Sequence, residues 1–449
     1  MARARSDGLF FLVLGIVALI LLGLSFRTSA VDSMIDFKQV YCGARLLHEN
    51  QDPYDPALMR RIYSTQFGES KIDEQHDPIT YLVYFPAGLL ILAPVAMLPW
   101  DTAAVLWNAL ILGSLVIAAY LTWRIGADDA PVLTGGLVGF ALINGAVVFA
   151  NGNAAGIVVG LCVIAAWCLD QERLIWLGIL CLVVSLTLKP QDAGLIWLFF
   201  LLRPGAFRKR ALQAGAITAL LGLISVLWMG HIAPHWLAEL HSNFAAWSGP
   251  GGNCDPGPTG LTAKTGTMEV ITDLQTVVSV FRDSPSIYSS VTFLFCGPLL
   301  ILWAIATLRS NSSRQLMWRA LAAIAPLTLL VSYHRAYDAR LLFLAVPACA
   351  MLWAKGEFEG KAAVAVTSFA FFFTGEIPLA FWNPLVAKMH PASGFMGEIE
   401  TVLLMRLAPL SLLAMCLFFV WVYGRERRIW QEPILCSAGK GEPAPAGRV

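Results

Sequence analysis

Residues 8–26 read GLFFLVLGIVALILLGLSF, an uncharged apolar run closed by Arg27 and preceded by Arg3 and Arg5. A helix needs about 20 apolar residues to cross the hydrocarbon core of a bilayer. A charged start followed by an apolar stretch also fits a secretory signal, but this run is long and no small-x-small cleavage site ends it. It reads as a retained transmembrane helix. The same pattern recurs along the chain. Thirteen apolar segments fall near 8–26, 81–98, 102–123, 131–150, 154–169, 174–188, 190–202, 211–230, 286–308, 316–333, 339–354, 362–382 and 401–423. Composition agrees: 57% of the residues are hydrophobic and 14% charged, with mean hydropathy +0.66, against roughly 25% charged in soluble domains. The expected fold class is an all-α polytopic membrane protein. A net charge of +1 argues against nucleic acid as a partner. The nine cysteines are scattered, most of them in apolar runs and without a CxxC pair, and read as small membrane hydrophobes.

Lysine and arginine in the connectors set the expected sidedness. Arg203, Arg208, Lys209 and Arg210 lie in one loop without an acid, Arg309, Arg314 and Arg319 in another, and Arg425, Arg427 and Arg428 open the tail. These connectors read as cytoplasmic, with both termini, in a plasma (inner) membrane. Residues 27–80 hold six Lys/Arg against nine Asp/Glu and read as a large first outer loop. Residues 231–285 form a second long loop on that side. The expected organisation is one transmembrane domain over 1–435 and a disordered cytoplasmic tail over 436–449. Thirteen crossings cannot leave both termini on one side, so one segment is expected to be re-entrant. Asn151-Gly152-Asn153 and Lys189-Pro190-Gln191 interrupt apolar runs, and irregular backbone at membrane depth survives only where it lines a cavity. A cavity is therefore expected in the 150–200 region.

The first outer loop carries DSMIDFKQVYCGARLLHENQDPYDP over 32–56. Phe37, Val40, Tyr41, Ala44 and Leu47 mark one face of a helix. Asp36 stands at its start, where an acid suits both a side-chain cap and the helix dipole. It is also placed to act as a general base at the membrane surface, tuned by cations such as Lys38. Asp32 is a reserve for that role.

The run I-D-F-x-x-x-Y-x-x-A-R-x-L-x-x-x-x-D-P-Y-D-P, followed by Tyr84, Pro86, Pro94, Pro99 and Trp100, resembles glycosyltransferase family 87. The resemblance is strongest over about 30–110, continues through Gly152-Asn153 and Lys189-Pro190, and beyond 210 rests on hydropathy. That family holds polyprenol-phosphate-mannose-dependent mannosyltransferases of the GT-C superfamily. The resemblance implies a GT-C-type bundle of about 12–13 transmembrane or re-entrant helices and an extracytoplasmic active site. It implies Asp36 as the catalytic acidic residue and an inverting displacement of polyprenyl phosphate. The implied partners are a polyprenyl-phosphate sugar, mannose by resemblance, a glycan or glycolipid acceptor, and membrane lipids. No cofactor is implied, and no HxH, HExxH or DxD cluster in the outer loops suggests a metal site.

A leaving phosphate needs cations. Lys189 beside its proline, and His334, Arg335 and Arg340 around Asp338, are the main candidates; arginine's planar fork suits phosphate oxygens, and an ionisable residue beside a broken membrane helix marks a functional position. Snorkelling of Lys189 to the interface and mutual pairing of the loop charges are the plainer readings. Lys38 and Arg45 complete the candidate phosphate-binding set, with His76, Asn153, Gln191 and Asp338 as further possible contacts. Asp52, Tyr54 and Asp55 sit among prolines and read as a turn. His231, His235, His241, Trp236 and Trp247 read as interfacial anchors, and Ser248–Gly260 as a flexible loop over the site. A transporter of lipid-linked sugars would carry ionisable residues mid-span in both halves, and a polysaccharide ligase would concentrate its chemistry in a late loop. Here the polar residues gather in one-sided loops and the specific signal lies in the first. An interfacial enzyme fits best.

Overall fold

The first helix, α1 (Ala2–Ser29), lies along α6 (Pro131–Ile143) because glycines let the two backbones touch. A Cβ on Gly139 would stand 2.5 Å from the Phe11 carbonyl oxygen, and one on Gly15 would collide with Gly139 itself. Lipid offers no hydrophobic gain for helix association, so close backbone packing takes its place. The computed structural model describes residues 2–29, 34–68, 79–258, 260, 271–310, 313–386 and 394–429. Asp32, His76 and the tail 436–449 lie outside the described residues.

After α1 come α2 (Ile35–His48), α3 (Pro56–Phe67), α4 (Pro86–Ala96), α5 (Trp100–Gly126), α6, the short α7 (Val147–Asn151), α8 (Ala155–Asp170), α9 (Ile175–Leu188), α10 (Pro190–Leu202) and α11 (Ala206–Ile232). The second half holds α12 (Trp236–Ser248), α13 (Gln275–Phe281), α14 (Pro285–Leu308) and α15 (Arg314–Val331). A 3₁₀ helix over Ala336–Ala345 runs into α16 (Val346–Ala354), followed by α17 (Phe358–Phe373), α18 (Glu376–Val386), α19 (Phe395–Met405) and α20 (Leu407–Ile429). Each of the thirteen apolar segments carries a helix. Among the described residues, seven spans are long and apolar enough to cross a membrane, or eight if the bent α17–α18 pair counts as one, and α4, α8, α9 and α10 are shorter apolar helices. The chain is an all-α, multi-pass membrane protein. Its axis is α15 and the Ala336–Ala354 segment, both almost wholly buried.

Ion pairs mark one end of the bundle. Arg5 meets Asp128 at 2.8 Å, Arg314 meets Asp170 at 3.1 Å, Arg210 meets Glu172 at 3.3 Å and Arg425 meets Glu359 at 2.7 Å. At the other end, Phe37 of α2 stacks on Trp100 and Trp107 at 5.5 and 4.7 Å. There Asn243 of α12 donates to the Tyr54 and Leu82 carbonyls at 3.0 and 3.1 Å.

Contacts at this end show where α4 sits. Gln39 donates to the Tyr81 carbonyl just before α4, and the Tyr41 hydroxyl to the Leu98 carbonyl just after it, each at 2.8 Å. Both donors belong to α2, so α4 starts and finishes beside the same short helix and does not traverse the bundle. Its 11 residues reach only about 16 Å, against a core of about 30 Å. Arg5 near the start of α1 and Arg425 near the end of α20 both pair at the ion-paired end. The breaks near 151 and 189 are the turns between α7 and α8 and between α9 and α10. Asp170 at the end of α8, and Glu172 and Arg210 flanking α9 and α10, all sit at the ion-paired end. At 13–16 residues each, these three helices reach about 20–24 Å, short of a hydrocarbon core of about 30 Å.

Candidate active site

Those turns open into a cavity of about 520 Å³. Asp36, Asn153, Lys189, Tyr333, Arg335, Tyr337 and Asp338 form its polar wall, and Val83, Phe85, Leu188, Pro190, Phe244 and Pro285 an apolar one.

Asp36 reaches the cavity because Met34 enters α2 in the left-handed conformation, φ 64°, with its N–H bonded to the Ala150 carbonyl of α7. The helix start is thereby clamped to the α7–α8 turn. Gly152 in that turn has φ +62°, and a Cβ there would lie 2.8 Å from that of Phe37; only glycine meets both demands. No side chain caps α2. The Asp36 carboxylate is engaged elsewhere: Oδ2 accepts a hydrogen bond from Asn153 Nδ2 at 2.7 Å.

Asn153 links the carboxylate to the cations. Its Nδ2 also donates to the Tyr337 hydroxyl at 3.0 Å, while Oδ1 accepts from Ala155 N–H at 2.8 Å and from Lys189 Nζ at 3.5 Å. Lys189 is the residue between α9 and α10, and Pro190 opens the second helix, where a missing N–H costs nothing. Its ammonium lies 2.5 Å from Asp338 Oδ1, 3.4 Å from Asp192 Oδ2 and 5.4 Å from the centre of the Tyr337 ring. Asp338 accepts the Arg335 backbone N–H at 2.8 Å. The Arg335 guanidinium donates to the Tyr333 hydroxyl, and at 3.0 Å to the Asn253 carbonyl of the Gly/Pro-rich loop, whose Cys254 and Pro256 reach the cavity. His334 stands behind this wall: its Nε2 is 2.9 Å from Asp192 Oδ1 and its Nδ1 2.8 Å from the Ser332 carbonyl. Burial opposes its protonation, but the Asp192 hydrogen bond and the charges of Asp192 and Asp338 outweigh that and raise its pKa. The loop positions Thr272 and Leu274 pair with the His334 and Leu330 carbonyls at 2.9 and 3.1 Å and hold the segment in place.

Of the residues singled out from sequence, Asp36, Asn153, Lys189, Gln191, Arg335 and Asp338 line one cavity. Four of the expected phosphate contacts do not line it: His334, which stands behind the wall, and Lys38, Arg45 and Arg340. Lys38 points to the α2–α3 contact, 6.0 and 5.1 Å from the Tyr63 and Phe67 ring centres. Arg45 lies about 13 Å further along α2 than Asp36 and donates to the Tyr41 hydroxyl at 3.1 Å. Arg340 is fully buried, donating to the Ala141 carbonyl and, at 3.0 Å, to that of Thr374. Asp52 bonds the Tyr54 N–H and Asp55 caps α3, the turn expected there. His231, His235 and His241 are exposed, whereas Trp247 lines the cavity. Gln39, Tyr84 and Asp192 were missed. Gln39 and Asp192 each follow a chosen residue by three, the spacing of neighbours on one helix face.

The sequence model of glycosyltransferase family 87 matches residues 81–333, over half of the 449-residue chain. The chain belongs to glycosyltransferase family 87. As a family 87 member it is a membrane glycosyltransferase. The match begins after α2 and runs on through stretches where hydropathy alone carried the resemblance. Asn153 and Lys189 fall inside it, and Asp36, Arg335 and Asp338 outside. No curated protein matches the chain.

Proposed function

We propose that this glycosyltransferase moves a sugar, mannose, from a polyprenyl-phosphate donor to a glycan or glycolipid acceptor, with Asp36 as general base. The observation that carries the reading is one cavity at the ends of short membrane helices. It holds a carboxylate, two cations and an apolar wall, with Asn153 bridging Asp36 and Lys189. The acceptor hydroxyl gives its proton to Asp36 as its oxygen attacks the anomeric carbon. The bond from that carbon to the phosphate oxygen breaks on the opposite face, so the configuration inverts. The departing polyprenyl phosphate leaves its charge beside Arg335, with Lys189 behind, and its chain along the apolar wall. Charge that develops only as the bond breaks is where fixed cations help most. No metal or other cofactor takes part in this scheme.

The positive-inside rule makes the arginine end cytoplasmic and the cavity extracytoplasmic, in a plasma membrane. The test is Asp36→Asn in nanodiscs, supplied with polyprenyl-phosphate mannose and an alkyl mannoside acceptor. Transfer is expected to fall by about a hundredfold or more with donor binding retained. Turnover near that of the unaltered protein would remove Asp36 as the base.

A further inference from the structure

We propose that Asn153 is a positioning residue: it holds the Asp36 carboxylate in its proton-accepting pose and couples it to the Lys189 cation. This rests on the reading of Asp36 as the base. Asn153 is 6% exposed, and all four hydrogen-bonding positions of its amide are used. The Ala155 N–H and the Lys189 ammonium can only donate, so both must face Oδ1. That fixes Nδ2 toward Asp36 Oδ2, with the Tyr337 hydroxyl accepting beside it, and the amide cannot flip without losing Asp36, Ala155 and Lys189.

Two consequences follow for the base. Oδ2 of Asp36 already accepts one hydrogen bond, which leaves Oδ1 as the freer oxygen for an incoming hydroxyl. The same hydrogen bond limits rotation of the carboxylate, so that oxygen stays where it is presented. Aspartate at 153 has the size but no donor. Glutamine has the donor but is one methylene too long to reproduce the bond to Ala155 N–H two residues on. The groups facing Asp36 from the neighbouring elements are Lys189, Asp338 and Arg335, the phenols of Tyr84, Tyr333 and Tyr337, and the Cys254 thiol. Of these, Lys189 and Tyr337 also contact Asn153 and lose that contact in Asn153→Ala.

The experiment compares Asn153→Asp, Asn153→Gln and Asn153→Ala in nanodiscs, with polyprenyl-phosphate mannose as donor and octyl mannoside as acceptor. Asn153→Ala is expected to lower kcat about tenfold to a hundredfold with little change in donor KM. In Asn153→Asp two carboxylates compete for one proton, so the acid limb of the kcat/KM profile is expected to move up by about one pH unit or more. Asn153→Gln is expected to keep the original limb. Infrared titration of the Asp36 carboxyl band, assigned by its loss in Asp36→Asn, reads the same displacement without turnover. It serves for Asn153→Ala should Asn153→Asp not fold. An unmoved carboxyl midpoint, or full kcat in Asn153→Ala, overturns the proposal. Full activity in Asp36→Asn instead overturns the base assignment, so the two failures are told apart.

Discussion

Replacing Lys189 with methionine removes the cation that two buried carboxylates share. Lys189, Asp192 and Asp338 are 7%, 0% and 2% exposed, with Nζ at 2.5 Å from Asp338 and 3.4 Å from Asp192. At an effective dielectric near 20, contacts of this length are each worth about 5–7 kcal/mol before desolvation. Desolvation of the three charges offsets much of that. What the substitution exposes is the cost of leaving partners buried and uncompensated, about 3–5 kcal/mol. His334 still pairs with Asp192 at 2.9 Å, so Asp338 bears most of the loss. Adding Asp338→Asn to Lys189→Met should therefore recover about 1–3 kcal/mol, the range for residues in direct contact, because asparagine can still accept the Arg335 N–H. The assay is reversible unfolding in mixed micelles of the two single variants and the double, read as a double-mutant cycle. Single effects that add to within about 0.5 kcal/mol would refute the reasoning. The same proteins separate structure from catalysis. If the double variant regains both stability and donor use, Lys189 is a strut; if it regains stability alone, its charge acts on the donor.

Two further outcomes are expected elsewhere in the molecule. Glu239 of α12 is pushed up to about 7, first by its hydrogen bond with Asp52, then by burial and the charges of Asp52 and Asp55. A carboxyl raised in the fold stabilises it at low pH and loses that contribution as pH climbs from about 4.5 through 7. Amide exchange in α12 should quicken over that interval, and Glu239→Gln should flatten the dependence; equal slopes in both proteins would dismiss the pair. In the α1–α6 seam, Gly139→Val should cost about 1–3 kcal/mol in unfolding free energy. The neighbouring Gly136→Val, where an added Cβ meets nothing within 4 Å, should cost little, and equal losses would deny the seam its role.

Apolar length was legible in the sequence because hydrocarbon tolerates little else. The difference between crossing and not crossing was less so. The segment 81–98 is as apolar as its neighbours, yet Pro86 and Pro99 confine its helix to a length that cannot span, and that proline spacing was the available signal. Asp36, Asn153, Lys189, Arg335 and Asp338 stood out as polar residues at interruptions of apolar runs, and the cavity is where those interruptions meet. Lys38, Arg45 and Arg340 looked equivalent to them by proximity in the chain. Side-chain direction, however, is set by helical phase, and two, nine or five residues onward the phase points elsewhere. Asp192 could not be valued from sequence, since its importance comes from His334, brought beside it by a helix far along the chain.

A membrane helix too short to span the hydrocarbon core leaves backbone N–H groups that water cannot easily satisfy. At the start of α8 the Asn153 side chain meets that need by accepting the Ala155 N–H, and the same amide then has two N–H groups to spend. They go to Asp36 and Tyr337. At the start of α10 the need is met by Pro190, which has no N–H, while Lys189 before it turns its ammonium to Asp338 and Asp192. The groups that make the broken helices tolerable are thus the ones that hold the proposed base and the cation in register. On the proposed mechanism a single substitution at 153 or 189 disturbs stability and chemistry together, which is why Lys189→Met needs Asp338→Asn beside it to part the two.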